Sequence, residues 1–229
     1  MHGSVRGELT VTDLQEPATI LIVDDHPMVR EGMAMRISAE PGLAVCGEAA
    51  TEDEALALVK QSTPHLMIID ISLKVGHGLD LVKQIKSRYP KVRMLVVSGY
   101  QESLYAERAL RAGAMGYLNK QESNDKLIEA IRTVLGGGRF VSAQLTQRLV
   151  AQALGNRDET RTPVETLTDR ELEIFRMIGE GLTSSAIANQ LFLSIHTIDS
   201  HRENIKRKLG AGNAAELNRQ AVQWVLENG

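Results

Sequence analysis

The sequence predicts two fold classes in one chain: an α/β domain with a (βα)5 doubly wound parallel sheet, then an all-α domain of four helices. Three observations predict it. Short unbroken apolar runs alternate with helix-spaced segments across the first 138 residues. Beyond residue 166 the apolar spacing is helical throughout, with no strand pattern. Between the two lies a polar stretch without periodicity.

The apolar runs are 20–23, 43–46, 66–69, 94–97 and 115–118. Parallel strands are covered on both faces and read as continuous apolar runs, as these do. Helical spacing fills 27–39, 51–62, 78–88, 101–112 and 123–135, and the alternation of five runs with five helices predicts the doubly wound sheet. Residues 142–154 (Leu145, Leu149, Val150, Leu154) read as one more helix. From Gly155 to Thr166 the chain is charged, contains Pro163 and reads as linker. Thr168-x-x-Glu171 has capping-box spacing before Leu172, Ile174, Phe175 and Ile178. Gly181 ends that helix, Thr183 caps the next to about Leu191, Ser194 caps a third ending at Gly210, and Asn213 caps the last, to about Leu226. The expected division is a flexible tail 1–18, an α/β domain 19–138, a linker 139–166 and an all-α domain 167–229.

Composition sets bounds. The chain has 229 residues, 43% hydrophobic and 24% charged, with 3% aromatic, so aliphatic side chains must fill the cores. A formal charge of -3 excludes bulk electrostatic binding of nucleic acid and leaves room for a local basic face. A lone Cys46 cannot form an internal disulfide and reads as a small buried hydrophobe. No apolar stretch approaches the roughly 18–20 residues of a membrane helix, and 1–18 lack a signal peptide's apolar core. A cytoplasmic location, without membrane contact, is the expectation.

The ends of the apolar runs carry the chemistry. The first ends in Asp24-Asp25, the third in Asp70, the fourth in Ser98 and the fifth in Asn119-Lys120. Ligands of open parallel sheets bind beyond the carboxyl ends of the strands, so these groups should converge. Each alone has a bland reading: a helix cap beside Pro27, a turn serine, a solvated lysine. Together they suit phosphoryl transfer to a carboxylate. Clustered carboxylates call for a hard divalent cation with oxygen ligands, one Mg²⁺. Asp70 then attacks the phosphoryl donor, and Lys120 and the Ser98 hydroxyl serve the phosphoryl oxygens.

Asp24-Asp25-His26-Pro27, the segment 66–72 followed by Gly78-Leu79-Asp80, and 107–120 (ERALRAGAMGYLNK) resemble the receivers of two-component response regulators of the NarL/FixJ class. The resemblance implies Asp70 as phosphoacceptor and Asp25 and Asp70 as direct metal ligands. It also implies Asp24 as a ligand through water, the Ser72 carbonyl completing the protein ligands, and Ser98 and Tyr117 as switch residues. Two positions depart from the pattern: Lys74 and Gln121 stand where proline is common.

In the segment 195–209, Ile198, Ile205 and Leu209 share one side with Arg202 at its edge. The opposite side carries His196, Ser200, Glu203 and Arg207, flanked by Asp199 and Lys206. That polar face suits a helix in the major groove of double-stranded DNA, with Thr183, Ser184, Ser185 and helix amides gripping phosphates. An amphipathic helix with a solvated face is the competing reading of the periodicity. Leu167-Thr168-x-Arg170-Glu171, Gly181-Leu182-Thr183, Ile187-Ala188, Leu193-Ser194, Thr197-Ile198 and His201-Arg202-x-Asn204-Ile205-x-x-Lys208-Leu209-Gly210 resemble a LuxR-type helix-turn-helix over 167–217. The resemblance adds Thr197 to the DNA contacts and implies a homodimer through the last helix (Ala214, Leu217, Ala221, Val225). Asp199 departs from it, where many members carry lysine, and Glu203 is acidic too.

The expected function is that of a two-component response regulator, a transcription factor rather than a turnover enzyme. A sensor histidine kinase phosphorylates Asp70, and this controls DNA binding. An aspartyl phosphatase would want a second aspartate two residues past the nucleophile, where Ser72 stands. Members of the family often mask the recognition helix by docking it on the receiver; for this chain masking is a hypothesis, and the sequence leaves docked and separate domains open.

Overall fold

The structure, a computed structural model, describes residues 16–73, 75–122, 124–154 and 162–228. Lys74, most of the expected tail and the linker stretch 155–161 lie outside the described residues. A five-stranded parallel sheet has the order β2-β1-β3-β4-β5, with β1 (Ala18–Val23), β2 (Leu43–Ala49), β3 (Leu66–Ile69), β4 (Arg93–Ser98) and β5 (Gly116–Asn119). Between and after them run α1 (Pro27–Ser38), α2 (Glu52–Ser62), α3 (Gly78–Arg88), α4 (Glu102–Ala112) and α5 (Asn124–Leu135).

Strand side chains alternate in direction, and the two faces enter two separate cores. Leu21, Val23, Met67, Ile69, Met94 and Val96 pack under α2, α3 and α4, with Val59, Ile85 and Ala109. Ile20, Ile22, Leu66, Ile68, Leu95 and Val97 pack under α1 and α5, with Ile37, Ile128 and Ile131. Both faces are therefore covered, which is why the strands lack polar alternation. The expected α/β class holds. Two differences are local. Ala18 already pairs, with Leu43, so β1 starts before the predicted run. β2 continues through Gly47, Glu48 and Ala49 because it is an edge strand, half open to solvent, which tolerates polar residues.

After α5 the chain lays one more rung on the free edge of β5. The Tyr117 amide donates to the Phe140 carbonyl at 2.8 Å, and the Phe140 amide to the Met115 carbonyl at 3.0 Å. α6 (Ala143–Ala153) follows, with the Ser142 hydroxyl accepting from the Leu145 amide at 3.1 Å and Leu145 buried. Within the stretch read as aperiodic linker, Pro163–Thr166 forms a 3₁₀ turn, because Pro163 presets the turn's backbone.

The rest is helical: α7 (Asp169–Gly179), α8 (Ser184–Gln190), α9 (Ile195–Leu209) and α10 (Ala214–Asn228). The predicted capping box is present. The Thr168 hydroxyl accepts from the Glu171 amide at 3.3 Å, and the Glu171 carboxylate accepts from the Thr168 amide at 2.8 Å. α7 crosses α10 closely enough that a Cβ on Gly179 would sit 2.4 Å from the Ala221 carbonyl oxygen. Among the described residues no helix is long and apolar enough to cross a membrane.

The two halves touch. Lys83 on α3 and Arg108 on α4 both reach Asp169 at 2.9 Å, and Arg108 also donates to the carbonyls of Leu167 (2.7 Å) and Glu165 (3.2 Å). The Arg148 side chain, on α6, donates to the Ser103 carbonyl at 3.1 Å and to Glu165 at 3.1 Å.

Candidate functional site

β1 lies between β2 and β3, so the sheet reverses its winding there and opens a crevice at the carboxyl ends of β1 and β3. The chain leaves β1 at Asp24 and β3 at Asp70. The Asp70 amide donates to the Val23 carbonyl at 2.8 Å, which fixes the two exits side by side. The loop after Asp70 returns under glycine. The Gly78 amide donates to the Ile71 carbonyl at 2.9 Å, and a Cβ on Gly78 would sit 2.0 Å from the Asp70 carbonyl oxygen.

Lys120, from the end of β5, spans the crevice. Its Nζ is 2.7 Å from Asp70 Oδ2 and 2.6 Å from Asp24 Oδ2. The Lys120 amide is tied to the Ser98 carbonyl at 2.9 Å, so β4 and β5 present their terminal side chains together. Asp24, Asp70 and Ser98 are buried, and Asp25 is half-buried at the rim. Burial pushes the Asp70 carboxyl above the usual carboxylate range, against the pull of Lys120. Burial opposes charge on Lys120, but Asp70 and Asp24 outweigh it and raise its pKa. The structure thus brings together Asp24, Asp25, Asp70, Ser98 and Lys120. Ser72 lies half-buried on the loop two residues beyond Asp70.

The residues fit a hard divalent cation. Asp70 Oδ1, Asp24 Oδ2 and Asp25 Oδ1 are buried without a hydrogen bond; the last two have only ion-pair contacts, to Lys120 and to His26 at 2.7 Å. Ligand atoms from Asp24, Asp25, His26 and Asp70 all lie within 4.8 Å of one another. Such clustered carboxylate oxygens are the donor set that Mg²⁺ or Ca²⁺ takes.

Tyr117 is 2% exposed, and its hydroxyl donates to the Tyr100 carbonyl at 2.7 Å, so the ring is already turned inward here. Burial raises its phenol well above the ordinary tyrosine range. Asn119 Nδ2 donates to the same carbonyl at 3.0 Å, and the Tyr100 amide faces Ser98 Oγ at 3.5 Å. The Tyr100 ring stacks on Tyr105 with centroids 4.8 Å apart, and the Arg176 guanidinium of α7 lies over it at 5.2 Å. Tyr100, Arg108, Asp169 and Arg176 were not singled out in the sequence. Their pairing joins two units 60 or more residues apart in the chain, and neither helical nor strand periodicity carries that signal.

In the C-terminal domain Ile198 and Ile205 are fully buried, while His196, Asp199, Ser200, Glu203 and Arg207 are exposed on the opposite side of α9. Thr183 and Ser185, at the start of α8, are exposed and Ser184 is half-buried; the Thr183 hydroxyl accepts from the Ala186 amide at 3.2 Å. The Thr197 hydroxyl sits 2.8 Å from that of the capping Ser194. Arg202 donates to Asn218 of α10 at 3.0 Å, and Lys206 pairs with Glu203 at 2.8 Å. Lys208 faces inward, holding Glu171 of the capping box at 2.6 Å, so the basic end of α9 is only partly free for a ligand.

In this structure the outward side of α9 is exposed rather than covered by the receiver. The interdomain contacts fall on α7, on the segment before it, on the end of α8, where Gln190 and Leu191 line a cavity with Ser72, His77 and Tyr100, and on the end of α10, where Gln101 Nε2 reaches the Glu227 carbonyl at 3.5 Å. Those surfaces lie away from the outward face of α9, which stays open.

Residues 20–132 match the response regulator receiver domain, and residues 165–221 match the bacterial regulatory proteins of the luxR family. The chain is 33% identical over 212 residues to the oxygen regulatory protein NreC of Staphylococcus carnosus, covering 90% of this chain and 98% of that protein. It is 30% identical over 224 residues to the transcriptional regulatory protein DegU of Brevibacillus brevis, covering 92% and 93%. RcsB of Salmonella enterica, solved on promoter DNA with phosphomimetic BeF3-, superposes with a TM-score of 0.67 at 25% identity, covering 89% of this chain and 98% of RcsB. With both halves matched in order along nearly its whole length, the chain belongs to the response regulators that join a receiver domain to a LuxR-type DNA-binding domain.

Proposed function

We propose that Asp70 accepts a phosphoryl group from a sensor histidine kinase and that this controls sequence-specific DNA binding and transcription. The observation that carries the reading is the Lys120 ammonium held between Asp70 and Asp24 beside an unbonded Asp70 oxygen. Asp24, Asp25, Asp70 and the Ser72 carbonyl would hold one Mg²⁺. Bound there, the cation supplies charge neutralisation for the phosphoryl oxygens.

Asp70 Oδ1 attacks phosphorus, the P–N bond to the kinase imidazole breaks, and the electron pair leaves with the imidazole. Lys120 turns from the carboxylates to a phosphoryl oxygen. The Ser98 hydroxyl donates to another. The reaction is stoichiometric, one phosphoryl group per chain, so the protein is an acceptor and not a turnover enzyme. Asp70→Asn keeps the shape and removes the nucleophile.

The contacts of Tyr100 supply the link to output. When Ser98 turns to the phosphoryl group, its hold on the Tyr100 amide changes. The Tyr100 carbonyl is shared by Tyr117 and Asn119, so the loop moves with them, and Arg176 loses its seat on the ring. The released domain pairs through α10 on DNA as a homodimer, in the cytoplasm. Labelled acetyl phosphate with Mg²⁺ tests the acceptor: one phosphoryl group per wild-type chain and none on Asp70→Asn is expected. Equal labelling of the two would overturn the reading.

A further inference from the structure

We infer that α9 reads cytosines: Asp199 and Glu203 select two C·G pairs about two base-pair steps apart within each half-site. The inference rests on the DNA-binding reading and names the sequence class bound.

The exposed ridge of α9 presents hydrogen-bond acceptors along its centre. Asp199 is exposed and has no hydrogen bond or ion pair among the described residues. Glu203 is 71% exposed, one helical turn further on. Between them the Ser200 hydroxyl donates to the His196 carbonyl at 2.9 Å, which spends its proton internally and leaves only lone pairs outward. The cations near the ridge, which would favour guanine, are engaged by neighbours, Lys206 by Glu203 among them. Arg202 is engaged with Asn218 and Lys208 with Glu171, while Arg207 donates to Asn204 at 2.9 Å at the far end of the helix.

An acceptor ridge discriminates by what each base shows in the major groove. Guanine offers two acceptors there, N7 and O6, and thymine offers O4 and a methyl group; both repel a carboxylate. Adenine pairs its N6 donor with the N7 acceptor. Cytosine offers the N4 donor. Glu203 accepts from Lys206 Nζ at 2.8 and 3.0 Å, and a carboxylate keeps further lone pairs for the cytosine N4 donor. A residue four places on along an α-helix rises about 6 Å, and successive base pairs rise about 3.4 Å. Asp199 and Glu203 therefore reach positions about two steps apart.

The test is selection from a randomised duplex library by the full-length chain, with and without acetyl phosphate. The wild type should enrich half-sites with cytosines at positions n and n+2 of one strand. Exchange of either C·G pair for G·C should weaken binding about tenfold. Glu203→Gln should move the preference at its own position to adenine, which glutamine reads through N6 and N7, and Glu203→Arg should move it to guanine. Asp199→Asn should do at the second position what Glu203→Gln does at the first. These exposed side chains carry no packing, so folding survives their exchange. Half-sites without the paired cytosines, or a preference unmoved by all three variants, overturn the inference while DNA binding stands. Failure of the wild type to bind any duplex in either state overturns both.

Discussion

The Arg176 guanidinium lies 5.2 Å from the centroid of the Tyr100 ring, so a cation of the DNA-binding domain rests on the loop that leaves Ser98. Tyr100 touches Ser98, Tyr117 and Asn119 through its backbone and the other domain through its ring. A cation–π contact of this kind contributes roughly 0.5–2 kcal/mol. Tyr100→Leu and Arg176→Gln should each shift the population from docked toward separated domains by about twofold to thirtyfold. The double variant should add little to either single one. Small-angle scattering reads this as a larger radius of gyration; profiles that match the wild type would dismiss the contact as a latch.

Asp169 gives the interface a pH dependence of known sign. Burial raises its pKa, but Lys83 and Arg108 outweigh that and hold the carboxyl below its ordinary value. A carboxyl lowered in the docked form contributes fully above its ordinary pKa and loses its contribution as pH falls through the lowered value. Docking should therefore persist from neutral pH down to the ordinary aspartate range, about 3.9, and fail below it. Asp169→Asn should weaken docking already at pH 7. Scattering across an acid titration checks both; release near pH 6 would contradict the assignment.

Magnesium should stabilise the receiver by binding the folded form alone. A ligand at a hundredfold its Kd adds about 2.7 kcal/mol of apparent stability. A thermal melt should move upward with Mg²⁺ for the wild type and stay still for Asp25→Asn. An equal upward shift in both would place the ion elsewhere.

Gly78→Ala should damage the loop after Asp70 from outside the cluster. The new methyl would sit 2.0 Å from the Asp70 carbonyl oxygen, a backbone atom that cannot swing away. Overpacking of this kind costs about 1–3 kcal/mol, occasionally more. A urea midpoint unchanged from wild type would show that α3 shifts freely.

Thr168→Ala removes a capping hydroxyl and leaves Glu171 held only by Lys208 and the Thr168 amide. The expected loss is about 0.5–2 kcal/mol, read by chemical denaturation of the full chain.

Much of this architecture was legible before any coordinate. The runs 20–23, 66–69 and 94–97 announce a sheet buried on both faces because their side chains have nowhere polar to point. Asp24, Asp70 and Lys120 were identifiable because strand ends of a doubly wound sheet share one rim, a rule of topology. The continuation of β2 through Gly47 to Ala49 was not legible, since an edge strand's backbone pairing does not depend on apolar side chains.

The sequence by itself determined the two domains, the strand-end cluster of Asp24, Asp70, Ser98 and Lys120 and the polar ridge of α9, because each follows from periodicity or from spacing along a regular element. Only the tertiary structure decided that Arg176 meets Tyr100, that Arg108 and Lys83 share Asp169, and that the docked domain leaves α9 open. It also decided which of the basic residues on α9 are spent on neighbours, as with Lys208 on Glu171. The physical reason is one of range. Periodicity records how a residue sits on its own helix or strand. The match of two surfaces depends on shapes and charges brought together from distant parts of the chain, and no local pattern encodes it.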